Sequence, residues 1–137
     1  MERYIHLDSG SEIPGLSFDG PYRAVLVLET RCDPKWQAQV SFALCDSGCR
    51  YMMAWGVECS SWDGSVDLAN LKQFDFGDIP APDFVMTTWH GDETLDEVFG
   101  FAKRAAMHPD LELTSIAILH IGGHAREAEF MARYDAA

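Results

Sequence analysis

Lysine and arginine are scarce in this chain of 137 residues, which has only 10 of them against 22 aspartates and glutamates. The formal net charge of −12 gives the surface an average field that repels phosphate backbones and anionic lipid. We therefore expect neither nucleic acid nor a membrane as a partner. The same charge attracts a basic protein or a small cation, although surplus carboxylates also simply keep a small protein in solution.

Long hydrophobic runs are also missing, and none approaches the length of about 20 residues that a membrane-spanning helix needs. The first eight residues, MERYIHLD, carry acids where a secretory signal would be apolar. The cysteines are too few for a disulfide scaffold, so they are expected to stay reduced; they are Cys32, Cys45, Cys49 and Cys59. These absences predict a cytoplasmic protein.

Internal repeats and low-complexity segments are absent as well, and the length fits one domain spanning residues 1–137. A hydrophobic content of 47% is ample for a single buried core. Residues 1–21 are rich in serine, glycine and proline, which predicts a turn-rich N-terminal arm with one short strand near residues 4–7.

The rest of the chain alternates between strand-like and helix-like segments. Continuous apolar runs, typical of parallel strands that are covered on both faces, predict strands at residues 23–29, 49–55, 84–89 and 113–121. The position of Cys45 and Cys49, late in a helix and early in a strand, predicts that both are core residues.

Four predicted helices lie among these strands. Asp33 precedes Pro34, which is typical of a helix start, and Thr94 and Glu97 have the spacing of a capping box. A further helix over residues 65–74 is predicted to be capped by Ser65, and a closing helix runs from about residue 124 to about residue 134. The alternation predicts a three-layer, doubly wound α/β sandwich of Rossmann-like or flavodoxin-like type, with a mostly parallel sheet of four or five strands.

Four segments carry a resemblance: SGCRYMMAWG at residues 47–56, CSSWD at 59–63, SVDLAN at 65–70 and VMTTWH at 85–90. Together they resemble a small uncharacterised bacterial domain family, over most of the chain from about residue 21 to residue 121. The resemblance implies a bacterial, intracellular origin. It implies no activity and no catalytic residues.

Residues capable of chemistry follow each predicted strand where it ends. Because the carboxyl ends of parallel strands meet at one edge of a sheet, we expect Glu29, Trp55, His90 and His120 to be near neighbours there. Open α/β sheets bind their ligands at that edge.

The candidate catalytic residues are His90, His120, Cys59 and Asp63. A thiolate in the loop at Cys59 can be activated by a nearby imidazole, and Asp63 can act as acid or base; alternatively, Cys59 is a partly buried loop residue and Asp63 caps the next helix. His90, His120 and His124 could together hold a divalent ion, but a glycine pair interrupts any helix between the last two. No metal or other cofactor is therefore predicted.

The candidate binding residues are aromatic rings and a glycine pair. Three tryptophans are expected at the same edge, where rings stack on ligands or close the end of a core. The glycine pair offers amides to an anion or simply forms a turn. The predicted ligand-binding set is Glu29, Trp55, Trp62, Trp89, Gly122, Gly123 and His124.

Two functions remain open. The small size, the acidity and the lack of a complete catalytic signature favour a non-enzymatic binding or regulatory module, immunity-like, with a protein or a small polar ligand as partner. The alternative is a small hydrolase or transferase that acts on a nucleotide-like or polar metabolite. An enzyme predicts a concave pocket that holds His90 and His120, whereas a flat edge favours the binding module. A homodimer through a sheet edge or the last helix is also open.

Overall fold

The computed structural model describes residues 1–137, which form five strands and four α-helices. The strands are β1 (Glu2–Leu7), β2 (Tyr22–Leu28), β3 (Cys49–Gly56), β4 (Met86–Trp89) and β5 (Ser115–Ile121). The helices are α1 (Pro34–Asp46), α2 (Cys59–Gln73), α3 (Leu95–Arg104) and α4 (Glu127–Ala136), and a short 3₁₀ turn lies at Ala81–Asp83.

The strands form one sheet in the order β1-β5-β2-β3-β4, and every neighbouring pair is parallel. The chain moves outward from β2 through β3 to β4, then α3 carries it back across the sheet to β5, which lies between β1 and β2. The predicted doubly wound α/β sandwich is confirmed, with five strands and a fully parallel sheet.

The two faces of the sheet carry separate cores because successive side chains of a strand point to opposite faces. Helices α1 and α2 cover one face, where Leu26, Met52 and Leu119 are buried. Helices α3 and α4 cover the other, where Val25 and Ile118 are buried. This double burial explains why the strands read as continuous apolar runs and not as alternating ones.

Two helix starts follow their sequence signals closely. The Asp33 carboxylate accepts a hydrogen bond from the backbone N–H of Lys35, and Pro34 begins α1 where a helix needs no N–H donor. Thr94 Oγ1 accepts from the backbone N–H of Glu97 at 3.2 Å, and the Glu97 carboxylate accepts from the backbone N–H of Thr94. This reciprocal pair is the predicted capping box.

The second helix begins at Cys59, six residues before the predicted start at Ser65, so that prediction is wrong. Glu58 turns the chain into α2 with a left-handed backbone (φ 54°) and no side-chain cap, which leaves no sequence signal for the start. The Ser65 hydroxyl instead hydrogen-bonds to the Ser41 hydroxyl on α1 at 2.8 Å. Cys59 and Asp63 consequently lie on a helix, and Asp63 does not cap it.

The other elements differ from prediction only at their ends. β1 is longer than predicted, and it pairs with β5 along its whole length, from Glu2 opposite Ile116 to Leu7 opposite Ile121. β4 starts two residues late because the backbone N–H of Val85 donates to the Asn70 side chain at 2.9 Å. None of the helices combines the length and the apolarity needed to cross a bilayer.

Candidate functional site

β2 and β5 are neighbours in the sheet, but the helices that follow them, α1 and α4, lie on opposite faces. Open α/β sheets have their ligand crevice at the carboxyl ends of two strands related in this way. Glu29 directly follows β2, and its backbone N–H donates to the carbonyl of Ile121 at 2.9 Å. His120 is the last but one residue of β5 and is fully buried. The reversal of strand order thus brings Glu29 and His120 together at the switch point.

Four side-chain and backbone groups form a closed ring of hydrogen bonds here. The backbone N–H of Arg126 donates to Tyr4 Oη at 2.8 Å, and Tyr4 Oη lies 2.6 Å from His120 Nδ1. His120 Nε2 lies 2.5 Å from Glu29 Oε1, and the other Glu29 oxygen pairs with the Arg126 guanidinium. The ring joins β1, the end of β2, β5 and the residue that precedes α4.

The ring of hydrogen bonds fixes where the protons lie. The Glu29 carboxylate can only accept a hydrogen bond, so His120 Nε2 donates to it. In the neutral imidazole the other nitrogen, Nδ1, then accepts the hydroxyl hydrogen of Tyr4. Burial raises the pKa of Tyr4, so the phenol keeps its hydrogen at neutral pH. Both ring nitrogens of His120 are therefore occupied within the chain.

The glycine pair closes this cluster from the side of β1. A side chain at Gly122 would place its Cβ 2.6 Å from Glu29 Oε1 and 2.9 Å from His120 Nε2, so any larger residue here would displace one or both of these groups. The carbonyl of Gly122 accepts from His6 Nε2 at 2.7 Å, and its N–H donates to the Leu7 carbonyl. Gly123 and His124 are exposed beyond the cluster.

His90 lies at the end of β4 with partners of its own. Its Nε2 is 2.8 Å from Thr88 Oγ1, its Nδ1 pairs with the Glu93 carboxylate, and its ring packs edge-on against Phe101 at 4.9 Å between centroids. The side chain is buried, and both of its ring nitrogens are occupied. A shallow depression of about 420 Å³ lies over this end of the strand, between Trp89 and Asp92.

His90 and His120 are not near neighbours, which corrects the expectation that both meet at one point. β2 and β3 lie between β5 and β4, so the two histidines are three strand spacings apart, roughly 14 Å. None of the five main cavities is lined by Glu29 or His120. No three His, Cys, Asp or Glu side chains are grouped so as to hold a metal ion.

The predicted nucleophile and its acid are separate from both histidines. Cys59 is the first residue of α2, and its side chain is buried in the core on the α1 and α2 face. Asp63, one turn further along α2, lies next to the carboxylate of Asp67, and Thr87 on β4 donates to Asp67 at 2.7 Å. Burial, followed by the Asp67 charge, raises the pKa of Asp63.

The three tryptophans do not form one cluster, because they lie on different sides of the sheet. Trp62 is buried in the core beneath α2. Trp55 packs beside the opposite core, and its indole N–H donates to the Glu93 carbonyl at 2.8 Å. Trp89 alone is strongly exposed, at 55%.

Sequence reasoning missed three residues of this region. Tyr4 and His6 were passed over because their strand was assigned to a peripheral arm, although their alternation places both on one face. In the structure, Tyr4 contacts the ring of His120, and His6 contacts the carbonyl of Gly122. Arg126 carried no signal, because it lies between the glycine pair and α4 without any capping pattern.

Fold and site together define a doubly wound, fully parallel α/β domain whose switch point is filled by a saturated hydrogen-bond network. A family model described as Domain of unknown function (DUF7684) matches residues 2–137, and the chain belongs to that family. The resemblance carried by the four sequence segments is thereby confirmed. No curated protein and no solved structure matches the chain.

Proposed function

We propose that this domain is a non-enzymatic binding or regulatory module, immunity-like, that holds a basic protein partner at the C-terminal edge of its sheet in the bacterial cytoplasm. The observation that carries the proposal is the exposure of Trp89, with carboxylates beside it. At the same edge, His90 and His120 are hydrogen-bonded to other residues of the chain.

The first support is the state of the candidate catalytic groups. Both ring nitrogens of His90 and of His120 are hydrogen-bonded within the chain, and Cys59 is buried. A general base has to be within hydrogen-bond reach of a substrate proton, and a nucleophile has to be accessible to the substrate. The internal hydrogen bonds of the two histidines and the burial of the Cys59 thiol therefore support a binding role over a catalytic one.

The second support is the surface that the edge presents. Trp89 borders the depression at the end of β4, and the exposed residues Asp92 and Glu93 lie in the loop that follows. Val57, which is 37% exposed, directly follows β3 at the same edge of the sheet. An indole ring beside carboxylates binds the cationic side chains of lysine and arginine through cation–π contact and ion pairing.

The third support is the overall charge. A net charge of −12 steers basic partners toward the domain and repels acidic ones. Tryptophan is also among the residues that most often dominate the binding energy of protein interfaces. The two effects act together at the end of β4.

The test compares capture of partners from the native host by wild-type protein and by two variants. Trp89→Ala removes the proposed anchor. Phe76→Ala is the matched control, because Phe76 is 63% exposed in the segment between α2 and β4. We expect wild type and Phe76→Ala to retain a stoichiometric basic protein that salt elutes, and Trp89→Ala to lose it.

Equal retention of that protein by Trp89→Ala would contradict the proposed surface. Recovery of no stoichiometric partner by wild type would contradict the binding function itself. Acrylamide quenching of Trp89 fluorescence gives an independent readout, because the partner is expected to shield this indole.

The hydrolase or transferase alternative is favoured by one observation, the contact between His120 and Glu29 at the switch point. Its test is an activity screen on nucleotide and ester substrates. Turnover by wild type that Glu29→Gln abolishes would support this alternative, and turnover by neither protein would remove it.

A further inference from the structure

A second surface feature lies at the opposite, N-terminal edge of the sheet. A cavity of about 450 Å³ is bounded by the start of β2, the end of α3 and the segment that leads into β5. Its lining includes three cationic side chains, Arg23, Lys103 and Arg104, and two exposed carboxylates, Asp110 and Glu112. Nothing in the proposed function uses this cavity.

The three cations form no ion pair, although the chain is rich in carboxylates and two of these line the same cavity. Four other arginines do pair with acids, namely Arg31, Arg50, Arg126 and Arg133. Three unpaired cations around one cavity concentrate positive potential in an otherwise acidic protein.

Arg23 carries the clearest sign of a missing partner. Its Nε is buried and has no hydrogen-bond partner, the one such side-chain atom in the protein. One Nη atom donates to the carbonyl of Ala102 at the end of α3. Buried donors in folded proteins nearly always have a partner, and this Nε atom has none. Because Nε is shielded from solvent, the group of Arg23 that can reach a ligand is its other Nη atom, which makes no hydrogen bond within the chain.

The carbonyl groups at the end of α4 explain only part of this arrangement. Cations interact favourably with the free carbonyls of a helix C-terminus, and Lys103 Nζ donates to the carbonyls of Asp135 and Ala137 at 3.2 Å. Arg104 has no such partner. Its guanidinium folds back over Gly100, where a Cβ would lie 2.2 Å from Nη2, so the absence of a side chain there lets Arg104 reach this position.

We infer that this cavity binds a small molecule that carries a phosphate group. Guanidinium groups match the geometry of phosphate oxygens. The ammonium group of Lys103, which is held by backbone oxygens at the end of α4 and by the Tyr134 ring, adds positive potential from that side of the cavity. Asp110 and Glu112 also line the cavity, and carboxylates accept hydrogen bonds from hydroxyl groups. The ligand class is therefore a phosphate monoester of a small hydroxylated molecule.

The test is a titration of the ¹⁵N-labelled protein with inorganic phosphate, glycerol 3-phosphate and, as a neutral probe, glycerol. We expect both phosphates, but not glycerol, to shift the backbone amide signals of residues 103–113, with glycerol 3-phosphate binding more tightly. Arg104→Gln is expected to weaken binding about tenfold, because a charge-assisted hydrogen bond is lost from the ligand. Arg104 is exposed, so the variant retains the fold.

Arg31→Gln is the matched control, because Arg31 is an exposed arginine beyond the other edge of the sheet. It is expected to bind as wild type does. Absence of amide shifts in wild type at tens of millimolar of either phosphate would overturn the inference. Equal binding by Arg104→Gln and wild type, or equal loss in both variants, would show unspecific attraction and overturn it as well.

Discussion

Replacing Gly122 by alanine tests whether the hydrogen-bond ring at the switch point stabilises the fold. The new methyl group would meet Glu29 Oε1 at 2.6 Å and His120 Nε2 at 2.9 Å. The imidazole cannot retreat, because it is fully buried against Tyr4 and Phe130. The Glu29 side chain therefore has to move away, and the backbone at residue 122 has to shift from the imidazole, so the contact between Glu29 and His120 is broken.

The expected loss of stability follows from the contact between Glu29 and His120 that is broken. A hydrogen bond to a charged group contributes about 1.5–3 kcal/mol, and His120 Nε2 is left buried without its acceptor. We expect Gly122→Ala to lower the free energy of unfolding by about 2 kcal/mol. For a domain of this size, that corresponds to a fall in Tm of roughly 8 °C.

Gly123→Ala is the matched control in urea and thermal unfolding experiments. A Cβ at Gly123 meets nothing within 4 Å, and its backbone is not left-handed, so alanine fits there. We expect an unchanged or slightly higher stability, by up to about 1 kcal/mol, because alanine restricts the unfolded chain. Equal stability of the two alanine variants would refute the role assigned to the ring.

Three further outcomes are expected. Tyr4→Phe removes a hydroxyl that makes two hydrogen bonds, and it should lower the free energy of unfolding by about 1–3 kcal/mol. Tyr134→Phe is the control, because the Tyr134 hydroxyl makes no hydrogen bond, and it should leave the free energy of unfolding unchanged. Equal losses in the two variants would contradict this prediction. The pKa of Asp63 is raised in the folded state, so its contribution to stability is complete below pH 3.8 and is lost as pH rises through the folded-state value. Asp63→Asn should therefore be more stable than wild type at pH 7, with a difference that vanishes toward pH 3.8 in urea titrations; a constant difference would argue against this assignment. Burial raises the pKa of Cys45 to about 12. In a thiol-reagent assay of the native protein, half-buried Cys32 should therefore react before Cys45. The reverse order would contradict the burial of Cys45.

The fold was largely predictable because its signals are local. The Asp33–Pro34 pair and the Thr94–Glu97 box specify helix starts through hydrogen bonds that close within a few residues. Burial on both faces leaves apolar runs that identify parallel strands. The start of α2 escaped prediction because Glu58 enters it by a backbone conformation that no side chain signals.

The candidate site was less predictable because it depends on strand order. Residues at strand ends can be named from sequence, but the sequence carries no local sign that β5 lies between β1 and β2. That insertion places Glu29 beside His120 and separates both from His90. It also recruits Tyr4, whose role depends on a strand pairing across more than a hundred residues.

The position of β1 has a consequence for how the domain acquires its structure. As the chain leaves the ribosome, β1 emerges first, yet its sole neighbour in the sheet, β5, is made after every other strand. The segment from β2 to β4 can assemble from contacts close along the chain, while β1 must wait unpaired for the longest loop closure in the molecule. Folding is therefore expected to finish with the docking of β1. A chain that ends before β5 would leave β1 without a partner and β2 with an open edge, and both would be prone to self-association.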